Sequence, residues 1–128
     1  MTHPIMALQG PLVAALRAVP GLTVFDAPPK GAFPPYVVIA RHDVIPRDGD
    51  AAPGHEHRVV LQAWAEGASR KSAVTMVETI LGVALGASFD GAGFTVTLRR
   101  HDRTDTTIDG DTGRARATIA LTYFTEPV

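Results

Sequence analysis

From Arg114 to Thr125 two sets of side chains alternate along the chain: Ala115, Ala117, Ile119, Leu121 and Tyr123 on one side, Arg116, Thr118, Ala120 and Thr122 on the other. A repeat of two is that of an extended backbone, so this segment must be a strand with one buried face and one largely polar face. That requirement constrains the rest of the chain. It has to supply further strands to bond this one and helices to cover its apolar side.

Other segments meet the first need. Tyr36 to Ile45 is rich in β-branched residues (Val37, Val38, Ile39, Val44, Ile45) and closes at Pro46. Arg58 to Glu66 sets Val59, Leu61, Ala63 and Ala65 against Arg58, Val60, Gln62 and Trp64, and Phe94 to Asp102 sets Phe94, Val96 and Leu98 against Thr95, Thr97 and Arg99. Leu22 to Phe25 is a short fifth candidate, followed by a loop that Pro28, Pro29, Pro34 and Pro35 keep out of regular pairing.

Two helical stripes meet the second. Ile5, Leu8, Leu12, Leu16 and Val19 recur at steps of three and four, which predicts a helix from about Pro4 to Val19, ended by Pro20-Gly21. Pro11 has no N–H for the carbonyl of Ala7, so a kink or a later start stays open. Val74, Val77, Leu81 and Leu85 mark a second helix, capped by Ser69 or Ser72 and terminated by Gly86 in a left-handed conformation.

The resulting order, αβββαββ, lacks regular βαβ alternation. It predicts an α+β fold: an antiparallel sheet of four to five strands with two helices packed on one face. The opposite face would then carry Arg99, Arg116, Thr95, Thr97, Thr118 and Thr122. Asp109-Gly110 and Gly113 suit the turn before the last strand, and loops at about 27–35, 46–56 and 104–113 are expected to be mobile. At 128 residues the chain is sized for one domain, 1–128.

Composition narrows the function classes. With 45% hydrophobic and 20% charged residues and a formal net charge of -1, the chain is neither disordered nor a dedicated nucleic-acid or membrane-surface binder. The absence of cysteine removes disulfides, thiolate catalysis and cysteine-ligated metals. No run approaches the ~20 apolar residues of a membrane span, and Met1-Thr2-His3-Pro4 does not open a secretory signal, so use in solution is expected.

Chemical motifs are weak throughout. His55-Glu56-His57 puts two imidazoles on one side of a strand, but no third metal ligand is near in sequence. Gly67 to Ser72 lacks the glycine before Lys71 that a phosphate loop requires, and Asp109 to Gly113 lacks the closing glutamate of a calcium loop. No G-x-S-x-G elbow accompanies Ser69, Ser72 or Ser88. The expectation is a non-enzyme with no catalytic, cofactor-binding or metal residues. The two Arg-His-Asp triplets, 41–43 and 100–102, read as a coincidence of composition.

Three blocks, taken in order, resemble the tail terminator or tail completion family of long-tailed phages. They are Phe33-Pro-Pro-Tyr-Val-Val-Ile-Ala40; Arg58 to Glu66 with its Trp64, followed by Ser69 to Ala73; and Asp109-Gly-Asp-Thr-Gly through Thr125-Glu126. The arginine- and alanine-rich composition is similar to that of relatives in alphaproteobacterial gene transfer agents. The resemblance implies a homo-hexameric ring on the tail tube, where it stops tube growth and meets the head-side neck protein, an adaptor or stopper. It further implies synthesis in the bacterial cytoplasm, a place at the head–tail junction of a virion or gene transfer agent particle, and passage of DNA through the ring without sequence-specific binding.

Loop ends and the predicted polar face give the candidate self- or partner-contact residues: Arg41, Asp43, Arg47, Asp48, Asp50, His55, Glu56, Arg99, Arg116, Asp109 and Asp111. The alternatives are another neck component, adaptor or stopper, and a small metal-dependent α+β ligand-binding or enzymatic domain built on His55, His57 and nearby aspartates.

Overall fold

A computed structural model describes residues 3–47, 54–89 and 93–127. In chain order the elements are α1 (Pro4–Arg17), β1 (Val24–Phe25), β2 (Tyr36–Pro46), β3 (His55–Trp64), α2 (Arg70–Gly86), β4 (Phe94–Ile108) and β5 (Ala115–Pro127). The predicted order αβββαββ is therefore observed.

The strands form one sheet in the order β1-β2-β3-β5-β4. The pairs β2·β3, β3·β5 and β4·β5 are antiparallel, but β1 lies parallel to β2, with Val24 beside Val37 and Phe25 beside Val38. The sheet is mixed, which corrects the purely antiparallel expectation. Segment 26–35 is too long and too rich in proline to be a hairpin, and it carries the chain back so that β2 starts alongside β1 in the same direction.

Helix α1 runs unbroken through Pro11, its first turn capped by the His3 ring, whose Nδ1 accepts from the Ile5 amide at 3.1 Å. Leu8, Leu12 and Leu16 are fully buried. Burying three leucines, each favourable by about 1.5–3 kcal/mol, outweighs the intrahelical bond that Pro11 cannot make.

Helix α2 starts where the sequence suggests, with Ser69 Oγ accepting from the Lys71 amide at 3.1 Å. Its buried stripe is not the predicted one. Ala73, Val77, Ile80 and Ala84 face the sheet, whereas Val74 and Leu85 are exposed. Alanines let the helix lie close to the sheet, so the larger side chains rotate outward. Gly86 is the last helical residue and is not left-handed; the helix ends at an extended Ala87.

Both helices cover the same sheet face, as expected. Gln9 of α1 bonds His42, Tyr123 Oη donates to the Ala84 carbonyl of α2 at 2.8 Å, and His42 and Tyr123 project from the side of Val59 and Leu121. The core lies between, built from Val37, Leu61, Ile80, Phe89, Ile119 and Leu121.

Strand β4 departs most from its pattern. It continues to Ile108, so the loop expected at 104–113 shrinks to 109–114. Register shifts between Val96 and Leu98 and between His101 and Arg103 reverse its inward and outward positions twice. Leu98, expected in the core, is 42% exposed, and Arg99, expected on the polar face, pairs opposite Tyr123 beneath the helices.

Candidate functional site

The sheet face opposite the helices is assembled row by row. Tyr36, Trp64, Arg116 and Thr107 form one row across β2, β3, β5 and β4, and Asp43, Arg58, Thr122 and Arg100 form another. At the first end Arg116 stacks over the Trp64 ring at 5.0 Å, and Tyr36 lies between Trp64 and Phe25. The Trp64 face holds the guanidinium by cation–π attraction. Arg116 Nε is buried and unbonded among the described residues.

The charged row carries a repeat that the sequence reading dismissed. Arg41 Nε donates to Asp43 at 2.7 Å, and Arg100 Nε donates to Asp102 at 2.6 Å, so the two Arg-His-Asp triplets build the same pair on β2 and on β4. In each the outer strands present arginine and aspartate on the open face, while the central histidine turns to the other side. Thr122, between them, donates to Asp102. A depression of about 290 Å³ lined by Arg41, Asp43, Arg58 and Asp102 joins the pairs. Arg58, Arg100 and Asp102 were not among the candidates; the repeated triplet was the signal for Arg100 and Asp102.

Glu56 anchors the β2–β3 end of this face. Its carboxylate accepts from Arg47 at 2.9 Å and from Arg58 at 2.8 Å, with its side chain 5% exposed. The Arg58 hydrogen bond, reinforced by Arg47, holds the Glu56 pKa below the usual carboxylate range against the opposing effect of burial. The Arg47 amide also donates to the Gly54 carbonyl at 2.8 Å, closing the hairpin base. A Cβ at Gly54 would lie 3.1 Å from the Arg47 carbonyl and 3.2 Å from that of Thr125, so glycine is fitted there. Asp48 and Asp50 fall outside the described residues.

The other candidates separate. Asp109 and Asp111 sit in the β4–β5 turn, where the Asp109 carboxylate accepts from the Asp111 amide at 3.0 Å and from Thr112 Oγ1 at 3.2 Å. Gly113 completes the turn at φ 71°. Arg99 leaves the polar face because of the first register shift and stacks over Phe89 at 4.5 Å. His55 belongs to the helix-covered face, beside His57.

That covered face holds a polar chain. Thr125 Oγ1 lies 3.1 Å from His57 Nε2, His57 Nδ1 lies 2.9 Å from His42 Nε2, and His42 Nδ1 lies 3.3 Å from Gln9 Oε1. One direction of donation satisfies all three contacts with each ring neutral. Burial lowers the pKa of both His42 and His57 to about 4. Among the described residues no group of three or more His, Cys, Asp or Glu is placed to hold a metal ion. A groove of about 610 Å³, lined by Pro4, Leu8, His57 and Phe94, opens at this end.

No curated protein matches the sequence. The family pattern for "Tail completion protein gp17" matches residues 8–126. The chain belongs to this family. Among solved structures it is similar to a chain titled "Virion of native gene transfer agent (GTA) particle", with a TM-score of 0.82 at 20% identity, covering 98% of this chain and 99% of that one. The match establishes a shared fold.

Membership of the tail completion protein gp17 family makes the chain a structural protein of a phage-type tail. For a tail completion protein the informative features are its surfaces: a face of paired charges, a clamped hairpin and two sheet edges. No helix among the described residues is long and apolar enough to cross a membrane.

Proposed function

We propose that this chain is a tail terminator, a ring-forming protein that seats on the tail tube, stops its growth and presents a docking surface to the head-side neck protein. The observation that carries the reading is the family match over residues 8–126. The likeness in fold to a chain of a gene transfer agent virion supports placing it in a virion or a gene transfer agent particle, at the head–tail junction.

The surfaces suit that role. Apart from Arg116, which lies over Trp64, the arginines named on the open face are matched by carboxylates: Arg41 by Asp43, Arg100 by Asp102, and Arg47 and Arg58 by Glu56. A face whose charges are internally paired, on a chain of net charge -1, gives passing DNA few free cations to hold it. Arg47 and Glu56 close the base of the β2–β3 connection, and that connection is proposed to contact a neighbour or the tube on assembly. The reading is non-enzymatic.

Electron microscopy of particles made without this chain tests the reading. A terminator predicts overlong tails without heads. Tails of normal length beside heads that leak DNA would instead identify an adaptor or stopper.

A further inference from the structure

Two edges of the sheet are open. Among the described residues β4 bonds only β5, and beyond Val38 the outer edge of β2 has no neighbour, because β1 covers only Val37 and Val38. Open backbone edges of this length are normally covered or paired, since each presents a row of free N–H and C=O groups. Each edge here also carries one Arg-His-Asp triplet, Arg41 to Asp43 on β2 and Arg100 to Asp102 on β4.

We infer that β4 of one copy pairs with β2 of the next, extending the sheet from subunit to subunit. The inference rests on the ring reading above and names its interface. The strand directions permit it: β2, β3, β5 and β4 alternate, so β4 runs opposite to β2, and a second copy added with the same face outward meets it antiparallel.

Charge then selects the register. With His42 opposite His101 of the neighbour, Arg41 faces Asp102 and Asp43 faces Arg100. All four lie on the open face, so two local ion pairs become one four-membered network across the boundary. Directly opposed unlike charges favour such pairing and like charges oppose it. The joint unites two different edges, so it is heterologous and closes into a ring when the rotation per copy allows.

The absence of cysteine makes a direct test possible. In the same register Ile45 faces Leu98 of the neighbour. Within one chain these positions are separated by β3 and β5, three strand spacings or ~14 Å, too far for a disulfide. The double variant I45C/L98C is expected to oxidise into a ladder of covalent oligomers, and neither single variant is expected to do so. Dimers from I45C alone or L98C alone would show like edges meeting and would overturn the inference.

Reversing one triplet, R41D/D43R, keeps its local pair but sets like charges against the neighbour. It is expected to raise the concentration for half-assembly at least tenfold, and reversing R100D/D102R as well is expected to restore it. Circular dichroism checks that each variant folds. Rings seen by native mass spectrometry that neither cross-link nor respond to reversal would refute edge pairing and leave the ring reading standing. A chain that stays monomeric at every concentration and on isolated tails would refute both.

Discussion

His42 and His57 lie side by side on β2 and β3, Nε2 to Nδ1 at 2.9 Å, beneath α1. The chain Gln9–His42–His57–Thr125 satisfies every contact with both rings neutral, and burial favours that state. A second proton on His42 would aim its Nε2–H at the Nδ1–H of His57.

The pH dependence follows. In the unfolded chain both histidines titrate near 6.5, and in the folded protein at about 4, so protons bind the unfolded state first. Their contribution is present above pH 6.5 and is lost as pH falls from 6.5 toward 4. Burial is the main cause in both; Asp43 raises the His42 value, and His42 and then His55 lower that of His57, so each ring's drop corresponds to a loss on the order of 3 kcal/mol. Thermal unfolding between pH 8 and pH 4 should show this fall, and His57→Gln should flatten it.

Tyr123 is fully buried with its hydroxyl on the Ala84 carbonyl, near the last turn of α2. Tyr123→Phe keeps the ring against Phe89 but leaves that carbonyl without its partner. A loss of about 1–2 kcal/mol is expected in urea unfolding.

Leu12 and Leu98 form a contrasting pair. Leu12→Ala should cost about 2–5 kcal/mol because its site is fully closed. Leu98→Ala should cost less than about 1 kcal/mol, since the register shift after Val96 turns it outward. Equal losses from both would mean that strand β4 keeps the phase of simple alternation.

That contrast marks what the sequence can convey. The leucine stripe of α1, the alternation of β5 and the Asp109 turn were legible because each is a local repeat enforced by burial or by a side chain bonding its own backbone. The shifts in β4 were not, because an extra residue in one strand is defined by its partner and carries no composition here. In α2 hydrophobicity pointed to Val74 and Leu85, but close helix–sheet packing favoured Ala73 and Ala84. Of the candidate surface, Arg41, Asp43, Arg47, Glu56 and Arg116 came together on one face. Arg58, Arg100 and Asp102 emerged only when pairing placed the two triplets on opposite edges.

Glu56→Gln should loosen the hairpin base. The amide would face two guanidiniums without charge, and exchange of the Arg47 amide should accelerate while core amides of β3 and β5 stay protected. Acidification should act in the same direction. The lowered Glu56 pKa means that its contribution is present above the ordinary carboxylate range and is lost as pH falls below it.

The central claim, that this chain terminates tail growth, is tested most directly by adding the purified protein to tubes elongating in extracts that lack it. Tube length by electron microscopy should freeze at the moment of addition, with a ring of density on one end of each tube. Continued elongation at an unchanged rate, with the protein absent from tube ends, would contradict the account.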